Sequence, residues 1–395
     1  MGKGRAVTFL VIAAAVVIPG SLQASRANDE APAGIPALEQ GFRFASAIQT
    51  DDDSKGKAQL AIVLALAEIG ALDLAVERVD AVTGWYRGVG YAELATLLAR
   101  EGRAAEAETL IARATQVEEQ TSGWQGPRIS VFIGRAMAAL GNVEGSREAV
   151  EAISDADPRQ YSGQATATVA SGYAQKGDFE AAMETLKSLD GSEGAEVAHW
   201  LTRGYLGIAE AEELETGQRL EALAAADRSA NLLSGPPRVK ALRSISEHYE
   251  KLGKPEKAAD ALQEARKTME QSTPGDLSSS MTMTKIARTW VTLGESDRAR
   301  ALLKESEATA LRRALTDRPA LLAEIAVAYA ANGDDGEYHR VLQASLDMTD
   351  RVTNARPRAL AAVAICRALG WEQLRLDDQT VERLDGLYDG LGDPW

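Results

Sequence analysis

Beyond residue 36, apolar residues recur at helical spacing in run after run, such as Ala359 to Leu369, and polar faces lie between them. Each run ends at a glycine: Gly70, Gly102, Gly141, Gly177, Gly253, Gly294, Gly333 and Gly370. The intervals run from 32 to 41 residues, with one gap of 76 that is two periods long. The gap predicts a hidden turn near residue 215, with Gly217 as its candidate. A fixed period in this range denotes stacked helical hairpins. Glycine stands at the turns because a tight helix–helix connection needs a positive φ that other side chains resist. Asn332-Gly333 is the one Asn-Gly pair, and no alternating Val/Ile/Thr run is bounded by turn residues, so strands have little support.

Aligning the runs on their glycines exposes a register. Seven residues before the glycine stand Ala95, Gly134, Ala170, Ser246, Ala287 and Ala326. Four before it stand Tyr173, Tyr249, Trp290 and Tyr329, with Leu66, Leu98, Met137 and Cys366 elsewhere. Five after it comes an alanine, Ala75, Ala107, Ala182, Ala258 or Ala299, and four further on a large apolar residue such as Leu186 or Leu303. This register resembles the tetratricopeptide repeat, in which small residues let the two helices of a hairpin touch. The resemblance implies an all-α, right-handed solenoid of about nine helix–turn–helix repeats over residues 37–395. Most intervals exceed the 34 residues usual for that family, and the closing proline is represented only by Pro158.

Two places depart from the register. Before Gly217 the small and aromatic positions hold Glu210 and Glu213, so either a first helix over Ala195 to Ala209 ends in a displaced turn or the array is interrupted. Residues 194–235 are therefore where a bend or a divide between sub-arrays is expected. After Gly370 the second helix would carry Arg375 and Gln379 where apolar residues belong, which predicts a polar C-terminal cap over 371–395.

The amino terminus reads as a secretory signal. Lys3 and Arg5 precede an apolar stretch from Ala6 to Ile18, Pro19-Gly20 breaks any helix, and small residues offer cleavage after Ala24 or Ala27. The stretch is short of the ~20 apolar residues that span a bilayer. Residues 1–27 are thus expected to be removed, 28–36 to form a disordered leader, and the mature chain to be extracytoplasmic, periplasmic or secreted, without stable membrane insertion. The formal net charge is −15, and the first 27 residues carry three cations and no acid, so the remainder is more acidic still. Such a surface repels phosphate backbones and argues against nucleic acid as a partner.

Candidate chemistry is sparse. Cys366 alone cannot form an intramolecular disulfide or a multi-cysteine metal site, and it reads as a small buried hydrophobe. His199, His248 and His339 lie in different repeats without metal-ligand spacing. Asp51-Asp52-Asp53 opens like a calcium loop, but Ile62 stands where the bidentate glutamate belongs, so an acidic helix start explains it better. No catalytic set, metal site or cofactor is expected.

One pattern is less ordinary. The tetratricopeptide register implies that residues 13, 10 and 6 before the turn glycine face the concave side, and these offsets select Arg128, Arg135, Lys240, Arg243 and Arg288. Either these cations pair with neighbouring carboxylates or they form a basic strip inside an acidic shell. The strip would suit an acidic protein or peptide, or an anionic polysaccharide. Arg159, Arg318, Arg356 and Arg358 also stand near helix starts, against the helix dipole. The expected function is an exported, non-enzymatic scaffold binding a protein or peptide on its concave face. The alternative is an envelope carbohydrate-binding protein, with Trp85, Trp124, Trp200 and Trp371 as stacking platforms, or a helical polysaccharide-processing enzyme.

Overall fold

The computed structural model describes residues 31–49, 52–154, 158–187, 189, 194–271 and 277–391. The signal segment, residues 1–27, lies outside them. Nineteen helices and no strand occur among the described residues. After an opening helix α1 (Ile35–Ser46), the chain alternates between an inner and an outer row. The inner helices are α2 (Asp52–Glu68), α4 (Tyr86–Arg100), α6 (Gln125–Ala139), α8 (Pro158–Gln175), α10 (Ala195–Glu210), α12 (Gly235–Lys251), α14 (Leu277–Thr292), α16 (Arg318–Ala331) and α18 (Ala355–Trp371). The outer helices are α3 (Leu72–Val79), α5 (Ala104–Glu119), α7 (Val143–Ser154), α9 (Phe179–Lys187), α11 (Thr216–Ala230), α13 (Pro255–Glu270), α15 (Ser296–Ala310) and α17 (Asp335–Asp350), and α19 (Asp378–Asp389) ends the chain.

The register carries the hairpins. Gly70, Gly102, Gly141, Gly177, Gly253, Gly294 and Gly333 all take φ between 67° and 90°. Ala95, Ala170, Ser246, Ala287 and Ala326 are wholly buried where first and second helices touch, as are Ala75, Ala107, Ala182, Ala258 and Ala299 facing them. Tyr249, Trp290 and Tyr329, at the aromatic position, are buried. A side chain larger than alanine at the small positions would push the hairpin apart, because interiors are close-packed.

The fifth hairpin is continuous with its neighbours, which resolves the ambiguity at 194–235. The turn follows Glu210, and Gly217 sits inside α11 rather than in the turn. Counting back from Ala209 instead restores the register: Leu201 and Thr202 are buried at the apolar and small positions, and Tyr205 takes the aromatic one. The Thr202 hydroxyl donates to the Ser229 hydroxyl at 3.0 Å, joining α10 to α11. The Glu215 side chain and Gln218 form a capping box at the start of α11, doing the stopping and starting that a glycine turn does elsewhere.

At the last hairpin the turn lies further along than Gly370. Gly370 is helical, α18 continues to Trp371, and the positive φ falls on Gln373 at 52°. Anchored on Gln373, Cys366 moves to the small position and is wholly buried. The helix that packs lengthwise against α18 is not α19 but α1. Leader residues Ile35 and Pro36 accordingly belong to α1, with proline in its first turn, where its missing N–H costs nothing.

The row of inner helices therefore closes. α2 packs on α4, each later inner helix packs on the next, and α18 packs on α2. One continuous apolar core runs through this seam, holding Leu38 and Phe44 of α1, Ile62 and Leu66 of α2, and Ile365 and Leu369 of α18. Fully burying a Leu or Phe side chain contributes about 1.5–3 kcal/mol, and α1 brings two that are wholly buried. Polar contacts finish the seam: Arg43 reaches Asp385 at 2.8 Å and lies 3.6 Å over the Tyr388 ring, and Arg78 grips Glu39 at 2.7 and 3.0 Å. The array is a tetratricopeptide-like solenoid whose first helix completes its last repeat.

Candidate binding face

Ring closure turns the concave face into a lumen. Residues six before each anchor line one level of it: Arg135 on α6, Arg203 on α10, Glu247 on α12, Arg288 on α14 and Arg367 on α18. Residues nine before the anchor add Glu93, Lys285 and Glu324. Removing such groups from water is costly unless they pair, and most do. Arg135 reaches Glu93 at 3.0 Å, Arg367 reaches Glu324 at 2.9 Å, and Arg243 bonds Glu247. Arg288 bonds Glu372 and lies 3.8 Å from Glu324. Arg100 of α4 reaches Glu210 of α10 at 3.1 Å, although α6 and α8 stand between them in the row. A helix with side chains is ~10–12 Å across, so none can pass at the level of that bridge.

Titration behaviour follows from this enclosure. Burial alone would raise Glu324, but Arg367, Arg288 and Lys285 overcome it and hold its pKa below the usual value. Glu210 is likewise lowered against the pull of burial, by Arg100 first and then by His248 and Lys251. Glu68 has no such surplus of cations: burial, with Glu93 adding to it and Arg367 opposing, raises it to about 8.

Of the five residues selected by the concave register, Arg135, Arg243 and Arg288 are thus committed to internal carboxylates. Lys240 also faces the lumen, and it makes no ion pair among the described residues. It keeps contact with lumen solvent, yet it is crowded by protein. Burial, then Arg203, Lys285 and Arg243, lower its pKa to about 8. Arg128 lies elsewhere, at the edge where α6 begins. Its guanidinium sits 5.4 Å over the Trp124 ring and 5.7 Å over Trp85, with no ion pair among the described residues. The two indoles meet edge to face at 5.7 Å, and Trp124 is 55% exposed. Asp53 accepts from the Trp85 indole N–H at 3.2 Å, which ties the acidic start of α2 to this edge.

The offsets missed Arg203, which follows the displaced anchor at Ala209, and Glu93 and Glu324, which sit one turn from the offsets used. Two of the helix-start arginines, Arg318 and Arg358, have a structural explanation. Arg318 donates from Nε to the Arg313 carbonyl, and Arg358 to the Val352 carbonyl, both at 2.7 Å. Each satisfies a carbonyl in the connection after the preceding outer helix, where helical partners run out. Among the described residues no group of three His, Cys, Asp or Glu could hold a metal, and no helix is long and apolar enough to cross a membrane.

No family model and no curated protein matches the chain. It is similar to the nearly identical tetratricopeptide-like repeats of a kinesin light chain from Podosopora anserina, at 21% identity over 48% of this chain and 96% of that one, with a TM-score of 0.34. It is similar to human IFIT1, solved as a dimer with PPP-AAAA, at 14% identity over 89% and 84% with a TM-score of 0.28. Ton1535 from Thermococcus onnurineus NA1 is similar at 14% identity over 83% and 94%, with a TM-score of 0.27. By its own register of small, aromatic and turn positions, this chain is a tetratricopeptide-like α-solenoid.

Proposed function

We propose that the protein is an exported, non-enzymatic scaffold that docks an acidic protein or peptide partner on the ring edge formed by Trp85, Trp124 and Arg128. The observation that carries this reading is Arg128 held over two indoles, one of them more than half exposed, with no carboxylate among the described residues to neutralise it. Tryptophan and arginine are the side chains that most often dominate protein interfaces. The internal pairing of Arg135, Arg243 and Arg288 supports moving the partner from the lumen to this edge. Export rests on the charged and apolar pattern of residues 1–27.

The test is an affinity capture from envelope extract, comparing the mature chain with a Trp124→Ser, Arg128→Ser variant and with an Arg340→Ser control. Loss of a partner in the double variant alone, with weakened capture at high salt, supports the reading. An unchanged partner list with a folded variant rejects it. Amino-terminal sequencing of the exported product should begin just after Ala24 or Ala27; an intact Met1 would overturn the export assignment. The exposed Trp124 also favours sugar stacking as a second reading, and binding of envelope glycans lost in Trp124→Ser, with no protein captured, would select it.

A further inference from the structure

Between α8, α10 and α12 the lumen widens into a cavity of about 180 Å³, reached by Arg135 from α6 and Arg100 from α4. Arg135 and Arg100 are neutralised by Glu93 and Glu210. Arg203 and Lys240 also line the cavity, and neither has a carboxylate in contact among the described residues. The Arg203 guanidinium lies 5.6 Å from the centroid of the Trp200 ring. Arg203 opposes the charge on Lys240 across this partly desolvated space, while on Arg203 itself burial and then Arg135 act against the charge and Glu93 offsets part of them. His199 lines the same space and adds no positive charge at neutral pH, because burial, then Arg203 and Lys240, depress its pKa to about 4.

A second feature of the cavity is independent of these charges. His248 is only 9% exposed, and its Nδ1 stands 2.8 Å from the Ser244 carbonyl, so Nδ1 carries the proton. Its Nε2 is buried and has no hydrogen-bond partner among the described residues. Such groups are seldom left unfilled. His248 follows Glu247 on α12, which puts it on the level of Arg203, with Lys240 two turns away on the same helix. The cavity therefore offers two cations without an ion pair among the described residues and a ring nitrogen that a hydroxyl can meet.

We propose that this cavity binds a phosphate group, free or carried on a small hydroxylated molecule, with Arg203 and Lys240 neutralising its two charges. A compact dianion with acceptors on every side suits a guanidinium fork and an ammonium that line one cavity. A hydroxyl carried on the same molecule fills His248 Nε2. This site is separate from the aromatic edge, and either assignment can fail without the other.

Isothermal titration of the full mature chain with inorganic phosphate and with glycerol 3-phosphate, at constant ionic strength against chloride, tests the assignment. Saturable binding is expected, weakened about tenfold or more in Lys240→Met and in Arg203→Met, as loss of a charge-assisted contact implies. Arg128→Ser should bind as the wild type does. Without ligand the two methionine variants should melt at or above the wild-type temperature, because each removes one of two opposed charges. That readout separates loss of a site from loss of the fold. A His248→Leu variant that loses affinity for glycerol 3-phosphate alone assigns the ester, and one that changes neither assigns the free anion. No saturable heat with either probe, equal heat from chloride, or undiminished binding in both methionine variants overturns the proposal.

Discussion

Gly34 and Gly370 lie in contact at the seam of the ring. A Cβ on Gly34 would stand 2.0 Å from the Gly370 carbonyl oxygen, and one on Gly370 would stand 2.4 Å from Leu38 Cγ. The start of α1 and the end of α18 approach so closely only because neither residue has a side chain there. Gly370→Val should therefore destabilise by about 1–3 kcal/mol, the usual cost of overpacking. Thermal melts should show the loss, and small-angle scattering should show an enlarged radius of gyration if the seam opens. An unchanged melt would mean that the seam is loose.

Cys366 reports on the same seam. A Cβ on Gly41 of α1 would be 3.0 Å from the Cys366 Cβ, and the thiol is wholly buried, its pKa pushed up to about 12 by that burial. A thiol reagent at pH 8 should leave the native chain unlabelled, since thiolate and access are both required. Gly370→Val should label at temperatures well below global unfolding. Rapid labelling of the wild type would argue against a closed ring.

At the outer side of α1 the apolar contact should outweigh the ionic one. Phe44 is wholly buried and meets Tyr388 edge to face at 5.5 Å, so Phe44→Ala should cost about 3–5 kcal/mol. Arg43 and Asp385 are each more than 40% exposed, and Arg43→Ser should cost no more than about 1 kcal/mol. Chemical denaturation of both variants gives the comparison directly.

Glu68 should make stability fall with rising pH. Its folded pKa, about 8, lies above the unfolded value of 4.5, so the folded chain holds a proton that the unfolded chain has lost. The contribution is full below pH 4.5 and declines as pH rises through about 8. Glu68→Gln should flatten the pH dependence in that window and raise the melting temperature at pH 8 relative to the wild type. A variant with the wild-type profile would place the proton elsewhere.

Arg288 should be harder to replace than a surface arginine. It serves Glu324 and Glu372 from a side chain 27% exposed, and its removal leaves both carboxylates facing the lumen without it. Arg288→Met is expected to cost about 3–5 kcal/mol. Arg340→Ser, at a 53% exposed bridge to Glu307 and Glu337, should cost about 1 kcal/mol or less. Similar losses at the two sites would show that the lumen is as well hydrated as the surface.

Much of the fold was legible because a hairpin is a local object. The glycine intervals, Ala95 and its equivalents, and the aromatic positions act over a few turns of helix, and the sequence states them directly. The fifth and ninth turns were misread for a local reason too: Glu215 and Gln218 cap α11 without a glycine turn, and Gln373 rather than Gly370 takes the left-handed conformation. The binding face was legible only in part. The offsets found Arg135, Lys240, Arg243 and Arg288, but whether a cation is free or paired depends on helices far away in the chain, as with Arg100 and Glu210.

By itself the sequence determined the repeat, the helical class and the polarity of each face, because these follow from periodicity and turn chemistry. Tertiary structure alone decided that the array closes. Closure depends on whether the small rotation between successive hairpins sums to bring α18 against α1 and α2. No single repeat encodes that sum. It is this closure that converts an open concave strip into a lumen and pairs most of its charges, while Arg203, Lys240 and Lys285 make no ion pair among the described residues.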